Sequence, residues 1–282
     1  MPPLYVLGYW YSKYQRYTSD EFMEIVNDVK RNNIPMDVMI FDMDWHTQGW
    51  TGWTWDRTAI PDPEGLIAWM HQNGLKVSLN LHPADGVDDD EDFFTQLRDD
   101  MGMDSTAKVV PWNLSDPKFY HYMFKHIIRA RENQGVDFWW LDWQQNLTSK
   151  YVEGLGETFW CNHVFYNDMK NNRTNHRPLI FHRWGGLGSH RYPIGFSGDS
   201  FTHTARWHGS PISQLQLRMW ALDTGDTTSA GTSRLTATTQ RYTSGGCSMV
   251  CSRQCSAPMP PTGQVLRGEY GNMRMSPFCL RR

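Results

Sequence analysis

The chain has 282 residues, with 27 basic and 30 acidic side chains and a net charge of −3. That length fits one large domain or two small ones, and the near-balanced charge gives no electrostatic case for nucleic acid or an anionic membrane. No stretch approaches the length of a transmembrane helix, and the start MPPLYVLGYW lacks the basic residues and small-residue cleavage site of a signal peptide. It enters a strand-like run almost at once, as expected of a chain cut inside a larger protein. Compartment and oligomeric state are not given by the sequence. Aromatic residues make up 14% of the chain, with 14 Trp. Flat aromatic rings stack on sugar faces, but they also simply fill a large core.

Leu4 to Trp10 reads as a first strand. Thr18-Ser19-Asp20-Glu21 marks a helix start, with Phe22, Ile25, Val26 and Val29 following at helical spacing. Val38 to Phe41 reads as a second strand, with Asp42-Met43-Asp44-Trp45-His46 at its end. Pro63 to Gln72 reads as a helix closed by Asn73-Gly74. Lys76 to Leu81 is a third strand running into His82-Pro83. Asp116 to Glu132 is a long amphipathic helix, and Gln134-Gly135 ends it. The fourth strand, Phe138 to Leu141, is an apolar run too short for a helix. It meets Asp142 between tryptophans, where a carboxylate is costly to desolvate unless paired. An Asp there also reads as a helix cap after a core strand. Pro178 to Phe181 is a fifth strand, ending in His182-Arg183. Ile194-Gly195-Phe196 is a short sixth, ending in Ser197-Gly198-Asp199.

Strands alternating with helices predict a parallel sheet with right-handed crossovers. Five strands end in polar or ionisable residues: Asp42 and Asp44, His82, Asp142, Arg183, Asp199. In a closed (β/α)8 barrel these ends share one rim. In an open doubly wound sheet they would not all converge, and no glycine-rich dinucleotide fingerprint follows the first strand.

Two carboxylates facing each other across a sugar can cleave a glycosidic bond. Asp142, in a rigid aromatic setting, fits the nucleophile. Asp199, after a flexible Ser-Gly turn, fits the proton shuttle. Arg183 would keep a carboxylate ionised, and Asp42 would accept hydrogen bonds from sugar hydroxyls. Facing carboxyls of this kind lie about 5–6 Å apart in a retaining enzyme. His46, His82 and His182, with Asp42 and Asp44, also read as metal ligands. No close ligand spacing supports that, and histidines on a polar rim more often bind ligand or structural partners.

Four motifs together, GYWYSKY, IPMDVMIFDMDW, DFWWLDWQQ and HRWGGLGSHRYPIGFSGD, resemble glycoside hydrolase family 31, the α-glucosidase and α-xylosidase family. The likeness spans about residues 4 to 203. It implies a TIM-type barrel, a retaining double displacement on α-linked glycosides, an oligosaccharide or glycoside substrate, and no metal or other cofactor. It also implies a domain that normally precedes the barrel. By motif position Asp142 is similar to the nucleophile and Asp199 to the acid/base. Asp42 matches the acid that holds non-reducing-end hydroxyls, Arg183 the arginine of the substrate-ring subsite, and Trp140 the tryptophan lining it. Asp44, His82 and Trp184 join them as expected substrate-binding residues. Where better-known members carry Asn-Glu after the nucleophile motif, this chain has Trp-Gln-Gln, so the sugar stays open. A non-catalytic carbohydrate-binding remnant and an α-transglycosylase are the alternative functions. The second uses the same acids and differs only in the acceptor.

After about Thr204 the character changes. Lysine disappears while nine arginines remain, and four of the five cysteines fall here: Cys247, Cys251, Cys255 and Cys279. A metal knuckle, a disulfide framework or a disordered tail would each fit. A reading-frame shift fits more. Back-translated and read from the third base of each codon, Ser210 to Ala221 yields SYFTATASNVG and Leu222 to Thr228 yields GYWGHD. Gly245 to Met259 yields WMQYGVFSPVLRTH, and Glu269 to Ser276 yields IWKYADE. These are similar to the family's next segments, in order and in one frame. The expectation is therefore a partial barrel over 1–203 with about six strands, followed by a frame-shifted, unpacked tail over 204–282. Such a chain has open sheet edges and is expected to be unstable or inactive as written.

Overall fold

The computed structural model describes residues 2–47, 51–142, 149–173, 175–183, 188, 191–192 and 194–195, and the backbone alone at 196, 225–226 and 250–252. Asp199 and Trp184 therefore lie outside the described residues.

The backbone frame is one sheet in which every neighbouring pair is parallel. Strands β1 (Trp10–Ser12), β2 (Val38–Phe41) and β3 (Lys76–Leu81) come first. A small antiparallel pair, β4 (Val87–Asp88) and β5 (Val109–Val110), stands apart. Then come β6 (Phe138–Leu141), β7 (Ile180–Arg183) and β8 (Ile194–Phe196). The sequence reading expected six strands, and two more take part. β9 (Gly225–Asp226) pairs with β8, and β10 (Val250–Ser252) pairs with β1. The order is β10-β1-β2-β3-β6-β7-β8-β9, the sequential neighbour order of a (β/α) barrel. Both outer strands come from the region expected to be an unpacked tail, and each is only two or three residues long.

The helices cover the outer face. Helix α1 (Ser19–Arg31) opens with a capping box between Thr18 and Glu21, and turns Phe22, Ile25, Val26 and Val29 to the core. Helix α2 (Pro63–Gln72) has Asp62 as its cap and proline at its first position. Helix α3 (Phe94–Met101) escaped the sequence reading because the acidic run before it reads as loop. Helix α4 (Pro117–Met123) passes through a π-helical turn, Phe124–Ile128, into α5 (Arg129–Asn133). The single long helix expected here is thus interrupted. Helix α6 (Glu157–Asn172) was also missed, since its polar and apolar residues do not separate into faces.

Two strand boundaries need correction. Leu4–Leu7 is a 3₁₀ turn, and β1 begins only at Trp10. The reason is local bonding: Trp10 Nε1 donates to the Tyr5 carbonyl at 3.2 Å, and Asp37 accepts from Tyr9 N at 3.0 Å. The turn lays Tyr5 against Phe138, centroids 6.2 Å apart. The fifth strand covers Ile180–Arg183, two residues later than expected, because Pro178 has no N–H to give to the ladder.

Strand parity separates two surfaces. The register Ile40↔Ser78↔Phe138 and Asn80↔Trp140↔Phe181 puts even positions of β2, β3 and β6, and odd positions of β7, on one face. Trp10, Phe138, Phe181 and Trp140 meet there, at centroid distances of 5.2 to 5.4 Å. The opposite parity faces the helices: Phe41 packs on Phe22 and Trp55, and Trp139 on Phe165.

Candidate active site at the strand ends

Apart from the polar positions of β3, such as Ser78 and Asn80, the inner face of β2, β3, β6 and β7 is apolar until the strands near their ends, and the polar side chains gather there. Ser12 follows Trp10 on β1, Asp42 follows Ile40 past β2, Asn80 and His82 lie on and just past β3, Asp142 follows Trp140, and Arg183 follows Phe181. Ser12, Asp42, Asp142 and Arg183 are each the next inward position after an aromatic or aliphatic one, and Asn80 and His82 continue the inward row of Ser78 on β3, so the sheet alone brings them together.

Asp142 is the centre. It is buried, and its backbone N–H donates to the Leu81 carbonyl at 3.0 Å, extending the ladder by one rung. Its Oδ1 accepts from Arg183 Nε at 2.7 Å. Its Oδ2 accepts from Asn80 Nδ2 at 3.3 Å and lies 3.6 Å from His82 Nε2. A guanidinium and an amide aimed at one carboxylate favour its ionised form. Asp42 is equally buried. It accepts from its neighbour's backbone, Met43 N, at 2.8 Å, from Ser12 Oγ at 3.0 Å and from Asn80 Nδ2 at 2.9 Å.

Asp44 stands differently. Its backbone is left-handed (φ 69°) and its side chain only partly buried. Burial and then the Asp42 charge push its carboxyl above the usual carboxylate range, while Arg16 pulls the other way. Trp140 lies on the inward face of β6, two residues before Asp142, and leans on Phe181.

Of the expected site residues, Asp42, His82, Asp142 and Arg183 are thus drawn into one network, and Trp140 lies beneath it. Asp199 and Trp184 are outside the described residues. His182, weighed as a metal ligand, faces the helices instead: its ring nitrogens reach the Arg183 and Tyr192 carbonyls at 2.8 and 3.2 Å, and Asn162 of α6 lies against it. Burial lowers its proton affinity below the ordinary 6.5 despite those contacts. Among the described residues no group of three or more His, Cys, Asp or Glu side chains is arranged to hold a metal ion.

Two members of the network, Ser12 and Asn80, were missed. The signal was present in Lys76-Val77-Ser78-Leu79-Asn80-Leu81-His82, where polar residues alternate strictly with apolar ones in a strand flanked on both sides. An inward polar stripe there has to be bonded.

A loop after β2 closes over this end. Trp45 Nε1 donates to the Asn80 carbonyl at 2.9 Å, and His46 pairs with Trp55 across a short bridge. The loop is pinned from outside by buried Arg131, whose Nε and one terminal nitrogen both donate to the Trp53 carbonyl, at 2.8 and 2.6 Å. Arg131 also donates to Asp92 at 3.0 Å. Gly86, at φ 89°, admits the Val110 carbonyl where a side chain would stand.

Residues 1–226 match the model of the glycosyl hydrolases family 31 TIM-barrel domain. The chain belongs to glycosyl hydrolase family 31. Among its family 31 relatives are an α-xylosidase of Saccharolobus solfataricus and α-glucosidase 2 of Bacillus thermoamyloliquefaciens. The first is 26% identical over 161 residues, covering 56% of this chain and 20% of that protein. The second is 25% identical over 236 residues, covering 71% and 29%. The family 31 chain thus spans less than a third of these relatives' length. Solved family 31 folds superpose on it. The cycloalternan-degrading enzyme of Trueperella pyogenes, in complex with a covalent intermediate, gives a TM-score of 0.69 at 16% identity over 86% of this chain and 39% of that one. The dextranase of Flavobacterium johnsoniae complexed with glucose gives 0.67 at 17% identity, over 82% and 33%.

Proposed function

We propose that this chain carries the catalytic barrel of a retaining hydrolase of α-linked glycosides, with Asp142 as nucleophile. The observation that carries the reading is the setting of Asp142: a buried carboxylate past an inward-facing strand end, held by Arg183 at 2.7 Å. A nucleophilic carboxylate must be ionised and aimed before the sugar arrives, and a guanidinium bonded to one oxygen supplies both. In the first step an Asp142 oxygen bonds to the anomeric carbon as the glycosidic C–O bond breaks. Asp199 gives its proton to the leaving oxygen. In the second step water attacks the same carbon from the vacated side, its proton passes to Asp199, and Asp142 is released. Asp42 holds sugar hydroxyls, His82 and Arg183 border the reacting ring, and Trp140 lines its floor. The cycloalternan-degrading enzyme with its covalent intermediate is a family precedent for a covalent route.

The test is turnover of a panel of 4-nitrophenyl α-glycosides by the full chain and by Asp142→Asn, with a 5-fluoroglycosyl fluoride as trapping reagent. The expected result is a glycosyl mass increment on Asp142 and a loss of turnover of about 10⁴-fold or more in the variant. Equal turnover in both proteins, or a label on another residue, overturns the assignment.

A non-catalytic sugar-binding remnant is the second reading. It is favoured by the composition of 204–282, which we propose is translated out of frame from Thr204 onward. Four segments, in order and in one shifted frame, that are similar to family sequence support this. Resequencing the gene across codons 200–280 decides it, since an uninterrupted frame ends the idea. A binder keeps its sugar affinity in Asp142→Asn and has no turnover to lose.

A further inference from the structure

Asn80 has no role assigned above beyond its bonds. Its side chain is almost fully buried, at 1% exposure, in the middle of the inward face. The same nitrogen, Nδ2, lies 2.9 Å from Asp42 Oδ1 and 3.3 Å from Asp142 Oδ2. A primary amide has two N–H groups, so each carboxylate takes one. The amide cannot be reversed, because its oxygen would then face two acceptors. Its Oδ1 is buried with no hydrogen-bond partner among the described residues, a geometry that leaves an acceptor at the site.

We propose that Asn80 is a positioning residue that ties the nucleophile to the neighbouring substrate-binding acid. This rests on the reading of Asp142 given above. Two carboxylates sharing one nitrogen repel, and each repulsion raises the proton affinity of both. Asn80 opposes this by donating to the charged form of each, and it sets the angle of Asp142 relative to Asp42. Among the described contacts, the other groups facing Asp142 are Arg183 from β7 and His82 past β3. Asp42 is faced by Ser12 from β1, and Asp44 acts on it from the loop after β2. Of these, Asn80 alone bonds both acids among the described contacts. Arg183 holds one Asp142 oxygen and Asn80 the other, so the carboxylate plane is set from two sides.

The test is carboxyl titration of the full-length chain by carbon NMR with labelled aspartate, the two resonances being assigned by Asp142→Asn and Asp42→Asn. In Asn80→Leu, which keeps the volume and removes both donors, the Asp142 midpoint is expected to rise by at least about half a pH unit. The same direction is expected in Asn80→Ser, a second variant of smaller size. A packing role would lower the melting temperature and leave the midpoint where it was, and that result overturns the proposal. If neither variant folds, the wild-type chain still decides. The Asn80 side-chain amide protons are expected to shift with both titrations, and to lose one of the two steps in Asp142→Asn. An amide that follows neither acid overturns the proposal. These readouts need no turnover, so failure of the trapping experiment on Asp142 and failure of the tie are seen separately.

Discussion

Single side chains at this rim have sharply different duties within one or two positions. Arg183 bonds Asp142 through Nε, and Arg183→Met removes that charge from beside a buried carboxylate. The expected loss is about 3 kcal/mol of stability, read by urea denaturation, with Asp142 titrating at higher pH. Its neighbour His182 points the other way, toward the helices. It is buried neutral among carbonyls and Asn162, with its proton affinity lowered. Between its folded value and 6.5 the unfolded chain binds a proton that the folded chain refuses. Stability therefore falls as pH drops through about 6.5. Asp137 acts at lower pH: burial raises its pKa, but His71, Lys76 and the Val77 N–H outweigh that and hold it below 3.8. Its contribution is present above 3.8 and disappears as pH falls further. In His182→Gln the slope of unfolding free energy between pH 7 and 5.5 is expected to flatten by up to one proton. An unchanged slope would show that His182 protonates freely in the folded chain. The sequence made Asp142 and Arg183 legible because charge at the end of an apolar strand is rare. Asn80 was not, since an uncharged amide inside a strand reads as an ordinary surface position.

At the level of elements, strands were easier to read than helices. β2 and β6 are uninterrupted apolar runs buried on both faces, as parallel strands are, and β3 alternates Val77, Leu79 and Leu81 with Ser78 and Asn80, which are buried too. Helix α2 showed its cap, its proline and its Asn-Gly stop. Helix α6 showed none of these: its cap position is Gly156, and Cys161, Asn162, Phe165 and Asp168 are all buried. Tertiary bonds rather than pattern hold it. Asp168 receives Tyr120 at 2.9 Å and also Arg129, so helices on either side of β6 are tied through one acid. The loop over the site depends on a similar device. Arg131 satisfies the Trp53 carbonyl twice and belongs to the helix before β6. Arg131→Met is expected to destabilise the chain by about 2–4 kcal/mol and to speed hydrogen exchange first in residues 51–56. Uniform exchange across the barrel would mean that the clamp is not local.

For the molecule as a whole, the ring is carried by the six strands of residues 1–203, and its two flanks are very short. β9 and β10 bond outward to β8 and β1 and, among the described residues, not to each other. Each flank contributes two or three rungs among the described residues. The expectation of a boundary near Thr204 rests on the abrupt change of composition there, and the family match runs on to residue 226. The two flanking strands were not, because Gly-Asp and Val-Cys-Ser carry no strand pattern of their own. Brief trypsin treatment is expected to cut among the nine arginines after Thr204 and leave a resistant fragment ending near residue 203. Survival of the tail at a dose that nicks surface loops would show it packed.

The alternation along β7 has a corollary for chain length. His182 and Arg183 serve opposite faces, so a one-residue deletion between α6 and β7 would exchange them while leaving the ladder rungs intact. A change of length in that connection keeps Arg183 at the rim only where the count is absorbed before Ile180.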